Sequence, residues 1–448
     1  MSINFRAISK ISLKKLKLLI LGFSISYLVI GTLVTKSFFD NEIIIYDPRY
    51  IQLAHNLFYK NTVEIRWGTE ENRDSIMINP YNIQKGIYKN WFPIGYSLVI
   101  YSMMLISENY LNLLILFQLI LFSFIPLLVF NIGLIYWKNS QNRIILSFIA
   151  SLITLINPYY AVSPLWQTDT WLLVLLNISF IYVLLKIYYY SYFKYFPILI
   201  IICLLIFLIR PLISYSCLIF SIIILLFNKN IALKLKTSVL LVSLLTIMAF
   251  GGLKNYLQLK VFDIGTSNAG YNLWLSNNEY TNEYLKKHLG DGGMIEDVII
   301  PKFDKDWAFL SNYSEYEKDK FFKEKVLRFI AENPIETLEN SLLKFLGFFS
   351  PFRIRSGHWS DSSLKNYLTL LYQLPLNIIF FFSLFYHIFS SKKNNEISSI
   401  FLIYILSFVL PYLVFFSMTR FKAPIEFLFI ILSVNFIYNS FTIKKIIV

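Results

Sequence analysis

Long apolar runs recur along this chain, and basic residues cluster at every second connection between them. Arg6, Lys10, Lys14, Lys15 and Lys17 precede the first run. Lys138 with Arg143, Lys194, Lys229 with Lys234 and Lys236, Lys392 with Lys393, and Lys444 with Lys445 follow in turn. A helix of about 20 apolar residues crosses a bilayer, and cytoplasmic connections retain Lys and Arg. Placing all six clusters inside predicts ten crossings, 18–39, 111–137, 144–164, 170–187, 192–209, 212–227, 237–253, 367–389, 397–417 and 421–441, with both termini cytoplasmic. The run 93–107 is too short to cross comfortably, and a crossing there would move the basic connection 138–143 outside. It reads as a re-entrant or interfacial helix. The runs 192–209 and 212–227 are also short and fit a single kinked helix as well as two crossings.

Composition agrees. The chain is 56% hydrophobic and 15% charged, where a soluble domain carries about 25% charged residues. The formal charge of +14 raises nucleic acid as a partner, but the basic residues sit at span ends. Anchoring to a membrane surface explains them better, so no nucleic-acid partner is expected. Cys203 and Cys217 both lie inside apolar runs, which argues against a disulfide framework or a thiolate metal site. The first run is too long for a signal-peptide core and lacks an A-x-A-like exit, so it reads as an uncleaved span.

Two polar segments fall outside under this topology, 40–92 and 254–340. The second contains Gly265, Gly270 and Gly290-Asp291-Gly292-Gly293 as turn signals. Ser314-Glu315-Tyr316-Glu317 reads as a capping box opening a helix with Phe322, Val326, Phe329 and Ile330 on one stripe. Asn333-Pro334-Ile335-Glu336 caps the next helix. Its stripe Ile335, Leu338, Leu342, Phe345, Leu346 and Phe349 suits a membrane surface. The expected division is 1–253 as a transmembrane module containing the outer loop 40–92, 254–340 as an extracytoplasmic loop domain, and 341–448 as an interfacial helix with the last spans.

Chemistry has to come from the outer ends. Asp47 follows the first span and precedes an amphipathic pattern, Tyr50, Ile51, Leu53, Ala54 and Leu57. A carboxylate there can take a proton from an acceptor hydroxyl; it serves equally as an N-cap ahead of Pro48. Asp169, in the polar break Trp166-Gln167-Thr168-Asp169-Thr170, is a second acid, a metal ligand or a plain cap. Arg210, beside Pro211 in an apolar stretch, is a costly cation at that depth and a functional candidate. Phosphate is its natural partner, and snorkelling to headgroups is the bland alternative. Arg353, Arg355, Arg420 and Lys422 also face outward, against the positive-inside bias. His55, His288, His358 and His387 are scattered without metal-ligand spacing, and no phosphate-cradling glycine motif is present.

In order along the chain stand Asp47, Tyr50 and Ala54, then Trp91-Phe92-Pro93-Ile94-Gly95-Tyr96, Asn157-Pro158 with Thr168-Asp169, and Arg210-Pro211. Gly270-Tyr271-Asn272-x-Trp274-x-x-Asn277-Asn278, Asn333-Pro334 with Lys344 and Phe348-Phe349, and Arg420-Phe421-Lys422-Ala423-Pro424 complete the series. With this series the chain resembles the polytopic GT-C glycosyltransferases of the family 39-like branch, which contains the protein O-mannosyltransferases and the lipid A aminoarabinose transferase. The fold this implies is an all-α polytopic membrane protein, a GT-C-like bundle of about ten transmembrane helices with a mixed extracytoplasmic loop domain.

The resemblance implies a hexosyl- or pentosyltransferase in a prokaryotic plasma membrane, with a polyprenyl-phosphate sugar as donor and a glycan, lipid or protein as acceptor. It implies Asp47 as base, Asp169 as a second catalytic acid, and Arg210, Arg420 and Lys422 as the grip on the donor's lipid phosphate. Many relatives carry an acid beside the Pro-x-Gly-Tyr entry. Here Asn90-Trp91-Phe92 stands instead, and Glu64, Glu70 and Glu71 are distant substitutes. No cofactor is therefore assigned, and a divalent metal ion stays open. Two other classes share the gross pattern: a polysaccharide polymerase or ligase, and a lipid-carrier flippase or transporter. A transporter more often shows an internal repeat and ionisable residues near midplane, whereas these acids gather at outer ends.

Overall fold

The computed structural model describes residues 12–38, 48–67, 82–165, 168–190, 192–227, 229–287, 295–351, 363–389, 396–415 and 419–447. Asp47, Glu70, Glu71, His288, Gly290–Gly293, Arg353, Arg355 and His358 lie outside them.

The described chain is almost entirely helical, as its apolar runs demand. Its helices are α1 (Leu13–Phe38), α2 (Pro48–Lys60), α3 (Gly95–Ile106), α4 (Tyr110–Phe122), α5 (Ile125–Tyr136), α6 (Arg143–Leu155), α7 (Pro158–Ala161), α8 (Asp169–Tyr190), α9 (Phe196–Ile209) and α10 (Pro211–Phe227). They continue with α11 (Ile231–Leu259), α12 (Ala269–Leu275), α13 (Thr281–Lys287), α14 (Ile295–Phe303), α15 (Glu315–Glu332), α16 (Pro334–Phe349), α17 (Ser363–Phe389), α18 (Glu396–Val414) and α19 (Glu426–Ile447). Among the described residues, 7 helical segments are long and apolar enough to cross a membrane, so the chain is a multi-pass membrane protein. The other three expected crossings correspond to α6, α9 and α10. With α3 they are apolar helices of 10–17 residues, shorter than the roughly 20 that a full hydrocarbon core asks for.

Contacts bring several of the described span ends together. Lys236 donates to the carbonyls of Ile187 (2.9 Å) and Tyr188 (3.2 Å), Lys138 lies 4.9 Å from the Tyr189 ring, and Trp137 donates to Asn435 (3.1 Å). These are the ends that carry the basic clusters. α9 and α10 pack side by side with Cys203 and Cys217 near one another, equally far either side of Arg210. That geometry is a hairpin with Arg210 at its tip and rules out one kinked helix. α8 runs through the centre of the bundle, where Leu173, Phe180 and Leu184 are wholly buried.

The polar segments build a second core. Leu53, Ile65 and Trp91 from the first polar segment pack with Tyr271, Trp274 and Phe322 from the second. The expected loop domain 254–340 thus shares its core with part of 40–92. The short strands β1 (Ile65–Trp67) and β2 (Gly86–Tyr88) pair antiparallel. They belong to the first loop, and the described part of 254–340 is helical. The mixed character expected of the second segment comes from its partner.

The capping box is present, with both the Ser314 and the Glu317 side chains bonded across the first turn of α15. Asn333 does not cap α16 with its side chain; its amide donates to the Phe329 carbonyl (3.2 Å) at the end of α15. One residue sits between two helices, and the Phe329 carbonyl takes both its backbone N–H (2.8 Å) and its side-chain amide. On α16, Ile335, Leu338, Leu342 and Leu346 are exposed as the stripe requires, while Phe349 turns inward.

Candidate functional site

Asp169 opens α8, and Arg210 ends α9 in an extended conformation (φ −152°) that breaks the helix before Pro211 starts α10. The two side chains meet. Arg210 Nε donates to Asp169 Oδ2 (3.0 Å), and Nη2 donates to Oδ1 (2.6 Å) and Oδ2 (2.7 Å). This is the side-on fork that only a guanidinium offers a carboxylate. The Asp169 side chain is 5% exposed and that of Arg210 17%, so the cation keeps a window that the acid lacks.

An aromatic wall closes one side. The Phe421 ring lies 5.1 Å from the Arg210 guanidinium carbon and 5.4 Å from that of Arg420. Tyr412 stacks on Phe421 at 5.0 Å and lies beside the guanidinium. Arg420 itself is exposed. A cation over a ring face gains attraction without losing its N–H donors. The arrangement therefore supplies two guanidinium groups at the end of the bundle, one held rigid and one outermost, which suits an anion arriving from the membrane surface.

Lys422 is placed differently from the expectation. It is 1% exposed, and its ammonium donates to the Ser350 carbonyl (3.3 Å). Glu426, one helical turn on, is its nearest charge, and takes bonds from Gln373 (3.0 Å) and Asn157 (3.3 Å). Lys422 thus faces the bundle interior. The sequence treated Arg420 and Lys422 as a pair, but residues two apart on a helical segment point to different sides. A small cavity lies one turn below Asp169, lined by Asn157, Trp171, Ala423, Glu426 and Phe427.

Asp47 lies outside the described residues, but the helix that follows it is clear. Tyr50 is buried within electrostatic reach of Arg210. It meets Tyr96 edge-on at 5.3 Å and Phe92 at 6.5 Å, while Arg49 sits 4.5 Å over the Phe92 ring. The aromatic-Pro-x-Gly-Tyr entry earns its glycine here. A Cβ on Gly95 would stand 2.7 Å from the Leu208 backbone and the Ile209 side chain, directly before Arg210. Only glycine lets α3 start that close to the hairpin tip.

Sequence reasoning missed Phe421 and Tyr412 as the wall, and Glu426 as a buried acid. A lone carboxylate inside the last apolar run was a visible signal for Glu426. Asp169 was weighed as a second acid, a ligand or a cap; its two oxygens go to Arg210. Among the described residues, no group of three or more His, Cys, Asp or Glu side chains is placed to hold a metal ion. Glu64 pairs with Arg66 (3.7 Å) and Lys89 (3.9 Å). No protein-family model matches this chain, and no curated protein matches it either.

Proposed function

We propose that this protein is an integral-membrane glycosyltransferase that moves a sugar from a polyprenyl-phosphate carrier to a hydroxyl-bearing acceptor at the extracytoplasmic face. The observation that carries the reading is the convergence of Asp169, Arg210 and Arg420-Phe421. Three motifs far apart in sequence make one cationic, aromatic-walled site at the end of the bundle.

The chemistry needs little else. The acceptor oxygen attacks the anomeric carbon, the bond from that carbon to the phosphate oxygen breaks, and polyprenyl phosphate leaves with the electron pair. The acceptor's proton passes to the Asp47 carboxylate. Arg210, locked by Asp169, and Arg420 at the rim offset the charge growing on the leaving phosphate. Preorganised donors of this kind lower the barrier because they need no rearrangement as charge develops. A single displacement inverts the anomeric centre. The donor arrives through the membrane, so no nucleotide-binding fold is needed.

The direct test is to incubate the purified protein in lipid nanodiscs with a panel of polyprenyl-phosphate sugars and an envelope extract as acceptor source, and to follow donors by mass spectrometry. Consumption of one donor with release of polyprenyl phosphate is expected. Survival of the whole panel would contradict the reading.

A further inference from the structure

We propose that Glu315, in the second outer loop, is a positioning residue for the proposed transfer reaction: it holds the segment 89–96 that packs between helix α2 and the Arg210 hairpin. The inference rests on the transferase reading.

Glu315 is the first residue of α15, but the capping box of Ser314 and Glu317 already serves that helix end. The Glu315 carboxylate reaches away instead. Its oxygens accept from the backbone N–H of Lys89 (2.7 Å) and of Asn90 (2.9 Å), and from the Ser267 hydroxyl. It is 6% exposed. Two adjacent N–H groups aimed at one side chain call for a group with two acceptor oxygens. An amide of the same size would turn its own N–H₂ on one of them.

Asn90 is then fixed at every polar atom. Its side-chain amide donates to the Gly265 carbonyl (3.0 Å), its side-chain oxygen accepts from Lys254 (3.1 Å), and its backbone carbonyl accepts from Ser267 N–H (3.0 Å). The chain leaves this anchor as Trp91-Phe92-Pro93-Ile94-Gly95-Tyr96. Phe92 and Tyr96 take Arg49 and Tyr50 of α2, and Gly95 abuts Leu208 and Ile209 beside Arg210. One carboxylate therefore sets the spacing between the helix that follows Asp47 and the proposed phosphate grip. α15 does not depend on it, since Phe322 and Val326 anchor the helix in the second core and Asp319 accepts from Gly270 N–H (2.6 Å).

The test compares wild type with Glu315→Gln and Ser267→Ala in nanodiscs, reading hydrogen exchange and steady-state kinetics. Losing a charge-assisted bond raises local opening by roughly tenfold or more. Exchange across 86–94 should rise by about that factor in Glu315→Gln, with the transmembrane helices unchanged. kcat should fall by about tenfold, while the donor KM stays within about twofold, because Asp169, Arg210 and Phe421 sit on other elements. Ser267→Ala, which leaves the two backbone bonds, should move exchange and kcat the same way by a few-fold, and keeps the test alive if Glu315→Gln fails to fold. Faster exchange with unchanged kcat would reduce Glu315 to a structural clasp and overturn the proposal. So would unchanged exchange, or a donor KM that rises in step with the loss of kcat. A wild type that consumes no donor fails earlier and separately, and removes the function along with this role.

Discussion

At the helix ends, Asp169 and Arg210 face each other under a phenyl ring, and Arg420 lies over the same ring from the exposed side. In the loop domain, charged side chains on α15 are committed to holding chain. Glu315 holds the 89–90 backbone, and Lys318 donates to the Lys85 carbonyl (2.5 Å) and the Tyr88 hydroxyl (2.8 Å). Asp319 holds Gly270 and is bridged by Lys323 (2.6 Å), which also reaches Asp263 (3.2 Å). A Cβ on Gly270 would collide with Asp319, so that contact is built into the backbone. Asp169, Glu315, Lys318 and Asp319 are all buried, and the two clusters differ in what is left over. The first couples its charges to each other and carries an outermost cation; the second commits Glu315, Lys318 and Asp319 to backbone and hydroxyl groups, with Lys323 bridging Asp319 and Asp263. The second fixes a shape, and the first, on the proposed function, meets the donor phosphate.

The largest expected effect removes the proposed base and leaves the first cluster's geometry untouched. Asp47→Asn keeps size and capping ability and removes the proton acceptor. Turnover should fall by about 10²–10⁴-fold, the usual worth of a general base, with normal expression and membrane insertion. Near-normal transfer would leave Asp47 as a cap only.

Next comes Lys422, which separates gripping from bracing. Lys422 and Glu426 are both buried within electrostatic reach of each other, and removing one leaves the other buried with less compensation. Lys422→Met should therefore destabilise the bundle strongly, and Lys422→Met with Glu426→Gln should recover most of the loss, read as thermal unfolding. If Lys422→Met instead stays stable and loses donor affinity, Lys422 belongs with Arg210 after all.

The smallest effect probes the second cluster. Burial lowers the Lys318 ammonium to about 8 from its ordinary 10.5. The fold favours the neutral form, so this contribution to stability is fully present above 10.5 and is lost as pH falls towards 8. Resistance of the loop domain to proteolysis should rise between those limits, and Lys318→Met should remove its own part of the rise. An identical profile in Lys318→Met would show that other groups set it.

Seven of the expected spans and the capping box could be read from the sequence because period, length and local chemistry specify them. The meeting of Asp169 with Arg210 could not. The two are 41 residues apart, and each alone fits a cap or a snorkelling residue. Only the packing of α9 against α8 brings them together. Lys422 was misleading for a related reason: a basic residue at a predicted outer end reads as exposed until its helical phase is known. Lys344 is similar. It is 1% exposed on the inner face of α16, where it closes the end of α18 through the Leu413 and Val414 carbonyls (3.3 Å each), and burial pushes it down to about 7. Glu315 was legible only as part of a capping box, because the two backbone N–H groups it holds lie more than 220 residues earlier.

The central claim is that Arg210, set by Asp169, grips a lipid phosphate, and affinity for polyprenyl phosphate alone tests it without any chemistry. Wild type, Asp169→Asn and the double variant Asp169→Asn with Arg210→Met can be compared in nanodiscs by calorimetry; the double variant removes both charges, so no buried carboxylate is stranded. Asp169→Asn should still bind, because the guanidinium remains. The double variant should bind roughly ten- to a hundredfold more weakly than wild type, the worth of charge-assisted hydrogen bonds to an anion. Equal affinity in wild type and the double variant would contradict the account.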